Sequence, residues 1–354
     1  MPIADLLNPQ VAEFDALING KPLPSDMRNL INSVIVDDSL ALPGMFAFET
    51  ASSSEMQNAN DLVDDTLFSV GNVVEIKLGY GDQTETLMIG EITALEPEFV
   101  FDRLPVLTVR GYDRRHRLQR GRKTRTFLQQ KDSEIASEIA REAGLSADAV
   151  DSSVTHDYVI QANQTDLDFL HERARRIQYE VVVYDKKLFF RPVQNDQSEV
   201  LTLTMDDHLL EFCPRLSTAG QVSEVSVRGW NPKERKEIVS QAQPESSTMG
   251  GTQSGPTMSG KAFGSVLDTV SAQPLMTQAE ADQMAKAVLN RKALSLIAGE
   301  GLCLGRTDLR AGKVIKIEGV GKRFGGQYYV TTATHRYTSG GGYRTRFQIR
   351  RNAS

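Results

Sequence analysis

Cysteine and tryptophan are scarce in this sequence, and long apolar runs are missing. With two cysteines and one tryptophan in 354 residues, no disulfide framework holds the fold. None is needed, because a chain of this length buries roughly 70–75% of its unfolded surface. Cys213 and Cys303 lie in apolar stretches, "LLEFCPRL" and "GEGLCLG", without a CxxC partner, and both read as buried reduced thiols. No window approaches the ~18–20 apolar residues of a membrane span. The amino terminus has no basic stretch followed by an apolar core. The expectation is a protein made in, and folding in, a reducing cytoplasm, without membrane insertion. Positive charge is not in excess either: 40 Lys and Arg stand against 46 Asp and Glu, a net charge of −6. That balance argues against a surface built throughout for phosphate backbones.

Groupings that carry chemistry are also wanting. The histidines His116, His156, His171, His208 and His335 are scattered over different segments. His171 lies in a helical pattern, but no second His follows one turn later, so the zinc-helix spacing fails. In "MDDHLLEF", Asp206, Asp207 and His208 are adjacent, and neighbours on a strand point to opposite faces, so surface acids are the expectation. "GVGKRFGG" and "GLCLGRTDLRAGK" lack the spacing of a phosphate cradle and read as hairpin turns. There is no GxSxG elbow. Carboxylate pairs such as Glu96 and Glu98 occur in every globular chain. The sequence therefore predicts no catalytic residue, no metal site and no cofactor.

What is present is strand pattern. "FDALING", "LINSVIVDD", "GMFAFET", "NVVEIKLGYG", "TLMIGEITALE" and "VLTVRGY" are short, β-branched or alternating, and divided by Gly, Pro, Asn and Asp. Val74, Ile76 and Leu78 share one face while Glu75 and Lys77 share the other, as in a half-buried antiparallel strand. The fold class is mixed but mainly β: two similar antiparallel β-barrels plus a small α/β module. The expected division is a first tube-like barrel over 1–112, the module over 113–205 and a second tube-like barrel over 206–354.

In the module, Ile135, Ile139 and Ala143 form one helical stripe, opened by Asp132 and stopped by Gly144. Leu167, Leu170, Ala174 and Ile177 form another, with Thr165 as its N-cap. Two strands, "YEVVVYD" and "KLFFRP", meet near Lys186. After the strand "GQVSEVSVRGW", the Gly-, Ser-, Thr- and Pro-rich segment at about 243–276 reads as a flexible excursion. Thr277 and Glu280 form a capping box that opens a helix running towards Ile297. Three strands close the chain.

An internal echo links the two ends. "GNVVEIKLGYG" resembles "GKVIKIEGVG", "EITALE" resembles "VTTATH", and "LTVR" resembles "FQIR", each about 240 residues apart. From pattern alone, this fits either a duplication or two strand-rich regions that merely look alike.

One run stands out against the acidic background. "GYDRRHRLQRGRKTRTF" crowds Arg114, Arg115, Arg117, Arg120, Arg122, Lys123 and Arg125 around a single acid, Asp113. A nucleic-acid grip would interleave aromatics for stacking or form a recognition helix. Here the only aromatics are Tyr112 and Phe127 at the two ends, with Gly121 in between. The run reads as a charged connector facing acidic surface, on this chain or on another subunit.

Four stretches together resemble the phage late control gene D family, the hub of contractile-tail baseplates, which is similar to the amino-terminal part of VgrG spikes. They are "VRGYDRRHRLQRGRKTRTF", the D-S-x-I-A helix ending in "AGL", the Q-x-N-x-T-D-x-D-F-L motif at Gln161–Leu170, and "KLFFRP". "VSEVSVRGWNPKERKEIV" and the closing "GKRFGGQYYVTTATHRYTSGGGYRTRF" extend the likeness over nearly the whole chain.

The resemblance implies a homotrimer whose paired barrels make a pseudo-sixfold ring. Such a ring joins a sixfold tail tube protein to a threefold spike and seeds tube assembly within the baseplate of a phage or phage-tail-like particle. The sequence stops at Ser354, just after the last barrel strand, so the expectation is either a separate spike or tip protein, bound beside other baseplate components, or a longer chain of which this is a part. The seven basic residues are then candidate subunit-interface groups, with "DLVDDTLF" or "MDDHLLEF" as acidic partners. No specific nucleic-acid binding is expected. Two other readings remain: a tail-associated peptidoglycan hydrolase, and a nucleic-acid-binding protein using the basic patch.

Overall fold

A computed structural model of the chain describes residues 11–51, 62–231, 233–244, 249–271 and 275–354. The N-terminal strands are β1 (Ala12–Ile18), β2 (Lys21–Pro22), β3 (Ile31–Ser39), β4 (Met45–Ala51), β5 (Val73–Tyr80), β6 (Gln83–Glu98) and β7 (Val106–Tyr112). A short helix, α1 (Ser25–Asn29), precedes β3. The middle holds β8 (Lys123–Lys131), α2 (Asp132–Glu142), β9 (Ser146–Ala149), β10 (Thr155–Gln164), α3 (Asp166–Arg176), β11 (Tyr179–Tyr184) and β12 (Lys187–Pro192). Beyond it come β13 (Leu201–Thr204), β14 (Leu209–Leu216), β15 (Glu224–Asn231), β16 (Lys236–Ala242), α4 (Gly255–Phe263), β17 (Leu267–Val270) and α5 (Gln278–Ala293). The chain closes with β18 (Ile297–Leu304), β19 (Val314–Glu318), α6 (Gly321–Phe324), β20 (Gly326–Thr338) and β21 (Gly342–Arg351).

The alternation in β5 behaves as expected. Val74, Ile76 and Leu78 are buried, while Lys77 and Glu75 pair with each other at 3.4 Å on the outer side. Leu and Ile side chains removed from water in this way contribute about 1.5–3 kcal/mol each.

Barrel-forming strands of both ends belong to one sheet of 13 strands. Its path runs β14-β18-β21-β20-β3-β4-β7-β6-β5-β1-β2, and β19 joins β20 to β13. Within it the same arrangement occurs twice. The N-terminal unit orders its strands β3-β4-β7-β6-β5-β1, and the C-terminal unit orders its own β14-β18-β21-β20-β19-β13. Taken in chain order within each unit, both read second-third-sixth-fifth-fourth-first. Both fifth strands carry a bulge at the matching place, between Ile92 and Ala94 in β6 and between Val330 and Thr332 in β20. Each unit wraps its own apolar core. The units differ at one strand: β1 pairs antiparallel with β5, whereas β13 runs parallel to β19.

In the middle, α2 and α3 share a core with β8–β12 that includes Ile135, Ile139, Leu167, Leu170, Leu188 and Phe190. Gly144 stops α2 at φ +74°, a backbone conformation that costs glycine little. Thr165 Oγ1 caps α3 by accepting from Asp168 N at 3.1 Å.

Three expectations need correction. The segment at about 243–276 carries α4 and β17 within its described residues rather than a flexible excursion. Its anchors are long-range: β17 runs parallel to β15, and Met249 is buried against Val314 and Tyr329. With α5 lying over β15 and β16, this region makes a second small α/β layer between β14 and β18. The helix opened by the Thr277–Glu280 capping box is present as expected and runs towards Ile297 as far as Ala293, and Ile297 pairs with Arg351 and starts β18. β13 pairs with β19, so the C-terminal unit already begins at Leu201, ahead of position 206. Cys303 is buried, but Cys213 is exposed. It lies on β14, which forms one end of the large sheet.

Candidate functional site

The basic run leaves β7 at Tyr112 and turns through a 3-10 helix, Arg114–Gln119, before entering β8. Its lone acid organises the turn. Asp113 accepts from Arg115 N at 2.8 Å, from Gly44 N at 2.7 Å, and from Arg115 Nη2 at 2.6 Å. Arg115 also donates to Ser39 O at 2.7 Å and is only 1% exposed. Arg114 is equally enclosed, bonding Glu91 at 3.2 Å and pairing with Asp185 in the β11–β12 turn.

Glu91 is the common acceptor for three groups. Besides Arg114, Arg117 Nε reaches it at 2.9 Å and His116 Nε2 at 2.9 Å. Burial by itself would raise the Glu91 carboxyl, but the bonds from Arg117 and His116 and the charges of Arg117 and Arg114 outweigh it and hold the group at about 2. Farther on, Lys123 bonds Asp166 at 2.7 Å and Glu142 at 3.2 Å, while Arg125 bonds Asp166 at 2.8 Å and Glu142 at 2.6 Å. Arg122 donates to Asn163 O at 2.8 Å. Arg120 and Arg122 are exposed and form no ion pair among the described residues.

The run is thus a rivet within the chain, tying the N-terminal unit to the α/β module. This corrects the interface expectation for Arg114 and Arg115, which have no surface to offer a second subunit. The expected acidic partners, "DLVDDTLF" and "MDDHLLEF", are not among the described acceptors within the chain, and residue 61 of the first lies outside the described residues. The acceptors are instead Glu91 and Asp113 from the N-terminal unit and its exit, and Glu142, Asp166 and Asp185 from the module. Nothing in the local spacing of the run announces Glu91 or Asp185, which are brought to it by strand pairing and by the β11–β12 hairpin.

A second charged cluster joins the module to α5. His156 on β10 bonds Asp132 at 3.2 Å and pairs with Glu280, and Arg173 bonds Asp132 at 2.5 Å. Burial alone would lower the His156 imidazole, yet its bonds to Asp132 and Glu280 raise it overall. Asp132 and Glu280 are both held below the ordinary carboxylate range by the same contacts, against the opposing effect of burial. A His between two carboxylates invites a catalytic reading, but the adjoining cavity is about 20 Å³, room for little more than one water. A larger cleft of about 330 Å³ lies between the module and the C-terminal part, near Gln178, Pro192, Lys286 and Asn290. Among the described residues, no group of His, Cys, Asp and Glu is arranged to hold a metal ion, and no helix is long and apolar enough to cross a membrane.

The fold is shared with tail proteins. The 43 kDa tail protein of prophage MuSo2 from Shewanella oneidensis superposes with a TM-score of 0.70 at 11% identity, covering 96% of this chain and 98% of that one. An E. coli protein, c3393, is a type VI secretion component with structural similarity to the T4 tail proteins gp27 and gp5. It superposes at 0.60 with 13% identity, covering 96% of this chain and 77% of that one. A chain of the Francisella PdpA-VgrG complex gives 0.54 at 10% identity, covering 98% of this chain and 59% of that one. The fold is therefore one that this chain shares with phage tail proteins and with chains of type VI and VgrG systems. No curated protein matches the sequence. The profile of the Alg8 N-terminal domain family matches residues 8–339, and the chain belongs to that family.

Proposed function

We propose that this chain is a structural hub of a contractile tail or injection system, acting as a homotrimeric adaptor between a sixfold tail tube and a threefold spike. The observation that carries the reading is the repeated strand order of the two β units. Three copies would place six similar units around one axis, so a threefold assembly offers a sixfold face to a tube protein. The module and the second α/β layer break that likeness elsewhere and leave a threefold face for a separate spike protein and other baseplate components. The chain would be made in the bacterial cytoplasm and join the particle during tail assembly.

A structural role without catalysis fits the interior. The buried charges are spent on joining elements, and the cavity beside the histidine cluster is water-sized. The basic run supports the same reading, since its buried guanidiniums are neutralised inside the chain and leave little to grip phosphates. Light scattering on the purified chain tests the proposal. A trimer, seen end-on in electron micrographs as a ring with six similar lobes, is the expected result. A stable monomer at tens of micromolar would overturn it.

A further inference from the structure

The junction between the two units inside one chain is a template for a junction between chains. β20 is long enough to serve two neighbours: its first half pairs with β19, and its second half pairs with β3, from Thr332 opposite Ser39 to Thr338 opposite Ser33. The β20–β21 hairpin then buries its aromatic rings on the N-terminal unit. Tyr337 lies 5.2 Å from Phe14, and Tyr343 lies 5.8 Å from Tyr80.

Among the described residues, the equivalent hairpin of the N-terminal unit has no such neighbour. β6 pairs with β5 only as far as Glu91, so its last residues are paired to β7 alone. Beyond them, Phe101 is 98% exposed, with Phe99, Val100 and Leu104 exposed beside it. The strand equivalent to β3 is β14, the terminal strand of the sheet; among the described residues it pairs with β18, and apart from a bridge between Leu209 and Met205 at its start its other edge has no strand partner.

We propose that the end of β6 pairs antiparallel with β14 of a second copy of this chain, repeating the β20–β3 junction between subunits. This inference rests on the trimeric ring proposed above and specifies its seam. Transferring the internal register through the matching strands sets Glu96 opposite Arg215, Glu98 opposite Cys213 and Phe99 opposite Phe212. Phe101 then approaches the exposed Leu210. Arg215 forms no ion pair among the described residues, whereas Glu96 is already bonded by Arg110 at 2.9 Å, so the charge match is a minor contribution. Pro97 falls opposite Pro214, and neither has an N–H to give, so backbone bonding is interrupted there. The apolar tip beyond the prolines therefore supplies the main attraction.

The exposed native thiol makes the register testable. Glu98 and Cys213 fall at a non-hydrogen-bonded position, judged from the internal junction, where Ser339 N bonds Asn32 O and Leu40 N bonds Thr331 O. Facing α-carbons at such positions are about 4.5 Å apart, within disulfide reach. Oxidised Glu98→Cys protein is expected to run as covalent dimers and trimers on a non-reducing gel, and the crosslink should vanish in Glu98→Cys/Cys213→Ser. Phe101→Asp, at a side chain that makes no fold contact, should weaken trimer association at least ~10-fold. A trimer that neither crosslinks nor responds to Phe101→Asp overturns the seam and leaves the ring reading standing. Crosslinking that persists without Cys213 overturns the register. A chain that stays monomeric overturns both proposals.

Discussion

The two β units share a strand order but solve the same packing problem in different ways. Each places a phenylalanine ring over a glycine on the neighbouring strand: Phe46 of β4 faces Gly111 of β7, and Phe347 of β21 faces Gly301 of β18. The roles of the third and sixth strands are exchanged between the units. Each unit also has a buried arginine near the end of its sixth strand. In the N-terminal unit, Arg115 is neutralised by Asp113 at 2.6 Å. In the C-terminal unit, Arg351 instead donates to three backbone carbonyls, Met249, Gly325 and Gly250, at 2.8–2.9 Å. Duplicated topology therefore constrains where strands go and where a ring needs a glycine, while the polar solutions have diverged.

Substitutions can separate these solutions. The largest effect is expected at Asp113→Ala, which strands the buried Arg115 charge and removes the acceptor for two backbone N–H groups. A loss of about 3–5 kcal/mol is expected from urea denaturation. Gly111→Ala should follow, at about 2–3 kcal/mol. Its added carbon would lie 2.2 Å from the Phe46 ring and 2.3 Å from the Glu91 carbonyl oxygen. At Gly301 the nearest atoms all belong to the Phe347 ring, at 2.4–2.9 Å. Gly301→Ala should therefore cost less, about 1–2 kcal/mol. Adding Phe347→Leu should recover part of that loss, whereas Phe46→Leu should not rescue Gly111→Ala, because the carbonyl cannot move aside. Equal rescue in both units would break the comparison. Arg351→Met should cost about 1–3 kcal/mol, since it leaves neutral carbonyls rather than an unpaired charge.

The smallest effect concerns pH. The folded value of His156 is raised, so its contribution is full below the unfolded value of about 6.5 and is lost as pH rises through the folded value. Asp132 and Glu280 are lowered, so theirs is present above about 4 and is lost as pH falls through their folded values. The stability difference between the natural chain and His156→Gln should therefore be larger at pH 6 than at pH 9. His335, in the core of the C-terminal unit, has the opposite sign. Burial holds it at about 3, so it favours the fold above about 6.5 and costs stability as the solution is acidified. Urea midpoints of the two single His→Gln variants, compared from acid to pH 9, separate the His156 cluster from the core of the C-terminal unit.

Much of this fold could be read directly from residues. Alternation located β5 and β7, the Thr165 and Thr277 caps located the starts of α3 and α5, and the echo at a spacing of about 240 residues foreshadowed the shared strand order. These features are local, because a strand's period, a cap's hydroxyl or a stop at Gly144 acts within a few residues of itself. The motif likeness to tail hubs likewise agrees with the structures that share the fold.

What only tertiary structure decided is where long-range partners lie. The basic run looked like surface because its acids, Glu91, Asp166 and Asp185, are distant in sequence and reach it only through folding. The segment at about 243–276 looked flexible because its anchors, β15, Val314 and Arg351, are likewise remote. Cys213 looked buried because its neighbours are apolar, yet it lies on the strand that ends the sheet. Periodicity and capping are encoded locally. Pairing across the chain depends on which surfaces meet once each unit has closed around its core.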